Sequence, residues 1–261
     1  MVERSRTDLA GLRRSPLSHL AQTMQQAGSS ETVVLREIPF LNMVGIRIDP
    51  GSPVAHELAE ITGLDWPSAH GQVTGEPGDC AVLWQGPDEF LLVTQDAVEL
   101  PPGLTSDPAQ RHLRENATQD GVDAMQDTEA SHGALPTLST HPLTVRLTAA
   151  MADSPDRGQV VDLSANRTTL EIAGPHAREV LEKGCPMDLH PRAFPVNSAV
   201  STTLGPVQVV LWRTHPDTWR LMPRSSFAQF VAQWLLDAMT EFSPVHQPEA
   251  ANLTTAGAQQ H

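Results

Sequence analysis

Apolar positions recur along this chain at two spacings, and the switches between them mark out its elements. Residues 32–36 read as a strand, and 42–48 alternate Met43, Gly45 and Arg47 on one side with Val44, Ile46 and Ile48 on the other. The spacing then lengthens. Gly51-Ser52-Pro53 opens a helix that carries Ala55, Leu58, Ala59 and Ile61 inward, and Gly63 closes it. Residues 81–84 and 89–93 flank the turn Gly86-Pro87-Asp88 and predict a hairpin. Later in the chain, residues 160–163 and 168–172 read as strands joined by a turn at Ser164-Ala165-Asn166. Gly174-Pro175 opens a helix with Ala177, Val180 and Leu181 inward and Gly184 as its stop. A second hairpin runs over 207–213 and 219–222 around His215-Pro216-Asp217. The closing helix, with Ser225 or Ser226 as N-cap, places Phe227, Phe230, Val231, Trp234, Leu235, Ala238 and Phe242 on one face.

The two halves resemble each other. Leu83-Trp84 followed by Pro87-Asp88 matches Leu211-Trp212 followed by Pro216-Asp217, and Pro53 and Pro175 each open a helix ahead of their hairpin. A duplicated strand–helix–hairpin–helix unit accounts for this. The fold class expected is α+β: two duplicated, mainly antiparallel sheet units with flanking helices.

Composition divides the chain further. Residues 1–29 form a polar N-terminal arm whose Leu17, Leu20 and Met24 suit one or two helical turns. Residues 30–100 and 143–242 hold the first and second halves of the α+β domain. Between them, 101–142 contains five prolines and no aromatic residue, and seven acids against Arg111 and Arg114 lie between Glu99 and Glu129. Such a stretch buries too little apolar surface to offset the entropy of ordering it, so a mobile acidic insertion is expected there. Residues 243–261 read as a disordered tail.

Charge and cysteine usage narrow the function classes. With 17 basic and 31 acidic side chains, a net charge of −14 and a single lysine, Lys183, the chain has no basic stripe for a phosphate backbone. Nucleic acid is excluded as a partner. The longest uninterrupted apolar run is the five residues 80–84, against about 20 for a spanning helix. The charged opening, Met1 to Arg14, has no apolar signal core, and the expected location is cytoplasmic. Cys80 and Cys185 stand far apart with no C-x-x-C pair, so two reduced thiols are the default.

Catalytic signatures are mostly missing. No G-x-G-x-x-G, no phosphate-loop motif and no G-x-S-x-G elbow occurs, and Gly71, Gly75 and Gly78 read as a polar turn. No two of the 11 histidines are three or four apart, so no helical metal chelate is expected. Cys185 after Lys183-Gly184 would have a lowered pKa only if exposed beside the ammonium. A semi-buried cysteine behind a capping glycine is the simpler reading. In Asp162-Leu163-Ser164-Ala165-Asn166-Arg167, Arg167 would offer a fork to a carboxylate, or the segment is an Asx-type turn joining two strands; the turn is preferred. Asp188 to Pro195 places His190 and Arg192 on a proline-braced loop, either a partner contact or a structural brace. Trp66 lies in a loop and would serve as an interface anchor or as packing, while Trp84, Trp212, Trp219 and Trp234 read as core. No catalytic, cofactor-binding or metal-binding residue is assigned; Arg167, Arg192 and Trp66 are the interface candidates.

Taken together these motifs resemble the gamma subunit of heterotetrameric sarcosine oxidase. The resemblance rests on Ser15-Pro16-Leu17, Arg36-Glu37 before Pro39-Phe40, and Leu83-Trp84 with Gly86-Pro87-Asp88-Glu89. It continues through 162–171, Gly174-Pro175, 181–185, 188–192 and 224–228. The resemblance implies a fold of the aminomethyltransferase, folate-binding-like superfamily and a small subunit beside alpha, beta and delta subunits, held chiefly by alpha. The complex would demethylate sarcosine oxidatively to glycine, with tetrahydrofolate as one-carbon acceptor and hydrogen peroxide as product. Flavins, NAD and tetrahydrofolate would belong to the partner subunits, with no cofactor and no catalytic residue in this chain. The alternative is a stand-alone folate-binding or aminomethyltransferase-like protein. Against it, Val209-Val210 stands after Gly205-Pro206-Val207-Gln208, where aminomethyltransferases carry an acidic pair, and two valines neither accept a proton nor pair a charged pterin.

Overall fold

The computed structural model describes residues 13–96 and 141–243. The start of the N-terminal arm, the expected acidic insertion up to residue 140 and the tail from residue 244 lie outside the described residues. In chain order the elements are α1 (Ala21–Gln26), β1 (Val34–Ile38), β2 (Asn42–Ile48), α2 (Pro53–Thr62), β3 (Val73–Gly75), β4 (Cys80–Gly86) and β5 (Glu89–Thr94). They continue with α3 (Pro142–Asp153), β6 (Gly158–Asp162), β7 (Thr169–Ala173), α4 (Ala177–Glu182), β8 (Ser198–Leu204), β9 (Val207–His215), β10 (Thr218–Pro223) and α5 (Ala228–Ala238).

Local signals set many of these boundaries as expected. Ser52 caps α2, its Oγ accepting from the Ala55 amide, Pro53 takes the first turn, and Gly63 ends the helix at φ 71° in the left-handed region. Both hairpins turn at their Pro-Asp pairs. Three elements escape the pattern reading. β3 occupies part of the expected polar turn around Gly71 and Gly75, β8 was not anticipated, and α3 begins at Pro142, inside the boundary drawn for the insertion.

Among the described residues, ten strands form two antiparallel five-stranded sheets. One has the order β3-β4-β5-β2-β6, and the other, read from its opposite edge, β8-β9-β10-β7-β1. Position by position these are the same sheet. Each is assembled from a repeat that runs strand, strand, helix, three strands, helix: β1 to α3, then β6 to α5. The expectation of consecutive halves fails at one place in each repeat. β1 leads directly into β2 but pairs with β7, and β6 leads directly into β7 but pairs with β2. Among the described residues, one compact unit therefore takes 13–15 and 40–167, and the other takes 16–39 and 168–243. Alternation tells a strand which face is buried but not which edge it joins, so the exchange is a tertiary choice that the pattern does not encode.

In the first unit α2 and α3 cover one sheet face, Val54, Ala55, Leu58, Leu147 and Met151 meeting Val44, Ile46, Ile48, Val82, Phe90 and Leu92. In the second, α1, α4 and α5 bring Met24, Val180, Leu181, Val231 and Leu235 onto Leu35, Leu170, Ile172, Leu211, Trp219 and Leu221. Two expectations for the closing helix need correction. Its buried face is Ala228, Val231, Ala232, Leu235 and Ala238, while Phe227 and Phe230 are 49% and 46% exposed. A 3-10 turn, Ser225–Phe227, leads into it, so the N-cap position falls on Phe227 rather than on either serine. With Ala228, Val231, Ala232, Leu235 and Ala238 turned inward, both rings fall outside the buried stripe. Gly184 also has a different reason. Its φ is not positive; a Cβ there would lie 2.5 Å from the Trp234 indole, so the glycine admits the ring rather than stopping α4.

Candidate functional surface

The turn after β6 folds as the preferred reading has it. The Ser164 amide donates to Asp162 Oδ1 at 2.8 Å and the Asn166 amide to Leu163 O at 2.9 Å, an Asx turn locked further by the Met43 amide donating to Ser164 Oγ at 3.0 Å. Arg167 follows it half-buried, at the end of the first unit. Trp66 belongs to the same unit but is partly spent on packing. Its Nε1 donates to Ala55 O at 2.9 Å and its ring lies 5.0 Å from that of Phe90.

Arg192 sits on the second unit, on a loop that is rigid for identifiable reasons. Leu189 and Phe194 anchor it in the core, and the His190 amide donates to Asp188 Oδ1. Arg213, 6% exposed, clamps the loop's far end. Its Nη1 donates to Phe194 O at 2.7 Å and its Nη2 to Pro216 O at 2.6 Å, with the Trp219 ring 5.2 Å away. Burial lowers the Arg213 pKa from its ordinary value, and the field of Asp217 works against that shift. The loop is thus braced from within while His190, Pro191 and Arg192 stay exposed.

A second cluster was not anticipated from the sequence. Antiparallel register sets Arg36 on β1, Glu171 on β7 and Arg220 on β10 in one row across the sheet. Glu171 Oε1 accepts from Arg36 Nε at 2.9 Å and Nη2 at 2.5 Å, and Oε2 accepts from Arg220 Nε at 3.2 Å. The Glu171 and Arg220 side chains are only 8% and 10% exposed, whereas Arg36 is 69% exposed. The row continues to Trp212, whose ring lies 5.4 Å from the Arg220 guanidinium. Only the strand exchange brings Arg36 into this row, 135 positions before Glu171, which is why sequence spacing gives no sign of it.

Reactive chemistry is sparse. Among the described residues no group of three or more His, Cys, Asp or Glu is placed to hold a metal ion. A shallow depression beside β6 has Gly45 in its lining, where a Cβ would meet Leu163 Cδ1 at 2.8 Å. At its edge, Arg47 Nε is held by Asp88 Oδ2 at 3.0 Å, a pairing that raises the guanidinium pKa. Neither cysteine is in a disulfide; Cys80 is half-buried and Cys185 buried. Burial, with the nearby Asp79 charge, pushes the Cys80 thiol up to about 11. At pH 8 roughly a thousandth of it is thiolate, so alkylation of Cys80 by iodoacetamide should climb about tenfold per pH unit from 7 to 10. A rate that levels off near pH 9, followed by peptide mapping, would contradict this.

Two duplicated antiparallel five-stranded sheets, each with helices on one face, define an α+β protein. The fold comparison agrees. A glycine cleavage system aminomethyltransferase T from Bartonella henselae superimposes with a TM-score of 0.51 over 86% of this chain and 57% of that one, at 15% identity. A chain of a heterotetrameric sarcosine oxidase from Corynebacterium sp. U-96 superimposes with a TM-score of 0.69 at 39% identity, over 92% of this chain and 100% of that one. Sarcosine oxidase subunit gamma from Corynebacterium sp. strain P-1 and its counterpart from Arthrobacter sp. are each 40% identical, covering 93% of this chain and 98% of theirs. The profile of the sarcosine oxidase, gamma subunit family matches residues 135–241. This chain belongs to the sarcosine oxidase gamma subunit family.

Proposed function

We propose that this chain is a non-catalytic subunit of a heterotetrameric sarcosine oxidase, held chiefly by the alpha subunit. The complex converts sarcosine to glycine, passes the one-carbon unit to tetrahydrofolate and forms hydrogen peroxide, with flavins, NAD and tetrahydrofolate held by the partner subunits. The observation that carries this reading is the near end-to-end match, 93% of this chain against 98% of a gamma subunit at 40% identity. The exposed Arg192 on its braced loop and the half-buried Arg167 are proposed contacts to partners, and Trp66 adds its exposed edge. A cytoplasmic location fits two cysteines that are not in a disulfide. No helix among the described residues is long and apolar enough to cross a membrane.

The stand-alone folate-enzyme reading is weaker on chemical grounds. Val209 and Val210 are 3% and 1% exposed on β9 and offer no proton acceptor. Co-expression with the other oxidase subunits separates the two readings. The isolated chain should be colourless and form no peroxide from sarcosine, and it should co-elute stoichiometrically with the yellow complex. Tetrahydrofolate binding in the micromolar range by the isolated chain, or amine turnover by it, would favour the enzyme instead.

A further inference from the structure

We propose that Phe227 and Phe230, with Arg224 beside them, form the centre of the surface by which this chain docks on another subunit of the oxidase. This rests on the subunit reading above and adds to it the place and chemistry of the contact. All six phenylalanines lie in described residues, and only these two are among the exposed large hydrophobic side chains. The inward stripe of α5 is complete without them: Ala228, Val231, Ala232, Leu235 and Ala238 fill it. Their i, i+3 spacing sets both rings on the same side.

The charge around them is as unusual as their exposure. The chain carries −14, yet residues 224–233 contain a single charged side chain, Arg224, which is exposed with Gln229 and Gln233. Aromatic rings with arginine and no carboxylate is the composition of an interface centre rather than of an ordinary solvated helix face. Electrostatics also selects the occupant. A second copy would bring another −14 body to the same face, with repulsion across the rest of the contact. A different subunit that offers an apolar pocket edged by a carboxylate gains both ring burial and a charge-assisted bond to Arg224.

The test uses the full chain co-expressed with the other oxidase subunits. Phe227→Ser/Phe230→Ser should lower recovery of this chain in the complex at least tenfold, and Arg224→Glu several-fold. Val145→Ser, which removes an exposed apolar side chain of the other unit, should leave recovery unchanged. Wild-type recovery of the double serine variant overturns the proposal. If that variant does not fold, oxidative footprinting of the wild-type protein decides: Phe227 and Phe230 should be labelled in the free chain and protected in the complex. Equal labelling in both states overturns it. So does protection that is present in the free chain and vanishes when the chain is ended at Ser243, or a wild-type homodimer that only the serine variant dissolves. Failure of the wild-type chain itself to join the complex refutes the subunit reading instead, and with it this inference.

Discussion

Glu171→Leu should lower the free energy of unfolding by about 3–5 kcal/mol, because it takes the carboxylate from a guanidinium that is itself almost out of water. The Arg220 side chain is 10% exposed and lies against Trp212, so solvent screens it poorly. Arg36→Met should be far milder, about 1 kcal/mol or less, since that side chain is 69% exposed and behaves as a surface partner. The discriminating variant is Glu171→Leu/Arg220→Met. With both buried charges gone, only the 69% exposed Arg36 keeps a charge in the row, and most of the loss should return. Urea unfolding midpoints of the three variants measure this. A loss below 1 kcal/mol for Glu171→Leu would show that the pair is solvated.

Gly174→Ala is expected to cost a comparable amount, about 3–5 kcal/mol, from two sources acting together. Gly174 holds φ 122°, and a Cβ there would lie 2.5 Å from Thr32 O and 3.0 Å from Val33 Cα, backbone atoms just before β1. Its amide donates to Asp217 O at 2.9 Å, so the turn cannot swing away without breaking that bond. Gly63 supplies the contrast. It too has a positive φ, 71°, but nothing lies within 4 Å of the position a Cβ would take. Gly63→Ala should therefore cost only the left-handed penalty, about 1–2 kcal/mol. Equal losses in thermal or urea unfolding would mean that the entry to β1 gives way and the close approach is unimportant.

What the sequence discloses depends on the range of the interaction. α2 is legible because its start and stop are carried by neighbouring residues, Ser52 with Pro53 and Gly63. The hairpins are legible because their turns are written in Pro-Asp pairs. β8 is not, since Ala199 and Val200 are both buried and its two faces do not alternate cleanly. α3 has a proper inward stripe in Leu147, Ala150 and Met151, but no side-chain cap marks its start. The interface candidates show the same division. The Asx turn ahead of Arg167 follows from local chemistry. The clamp that Arg213 places on the loop of Arg192 spans 19 positions to Phe194 and needs the folded sheet. The closing helix misled for a related reason: every aromatic at helical spacing reads as core, and only the folded helix, with its buried stripe filled by Ala228, Val231, Ala232, Leu235 and Ala238, shows that two of them face water.

The reciprocal exchange of β1 and β6 has a consequence for how the polypeptide is made. Arg36 emerges from the ribosome 135 residues ahead of Glu171. At about 5–20 residues per second, β1 must wait roughly 7 to 27 seconds before its neighbour exists. During that interval it is an uncovered edge, with Leu35 waiting for Ile172. A nascent chain of this design gains from a chaperone on its first forty residues, and synonymous codons that slow translation between β2 and β7 lengthen the exposure.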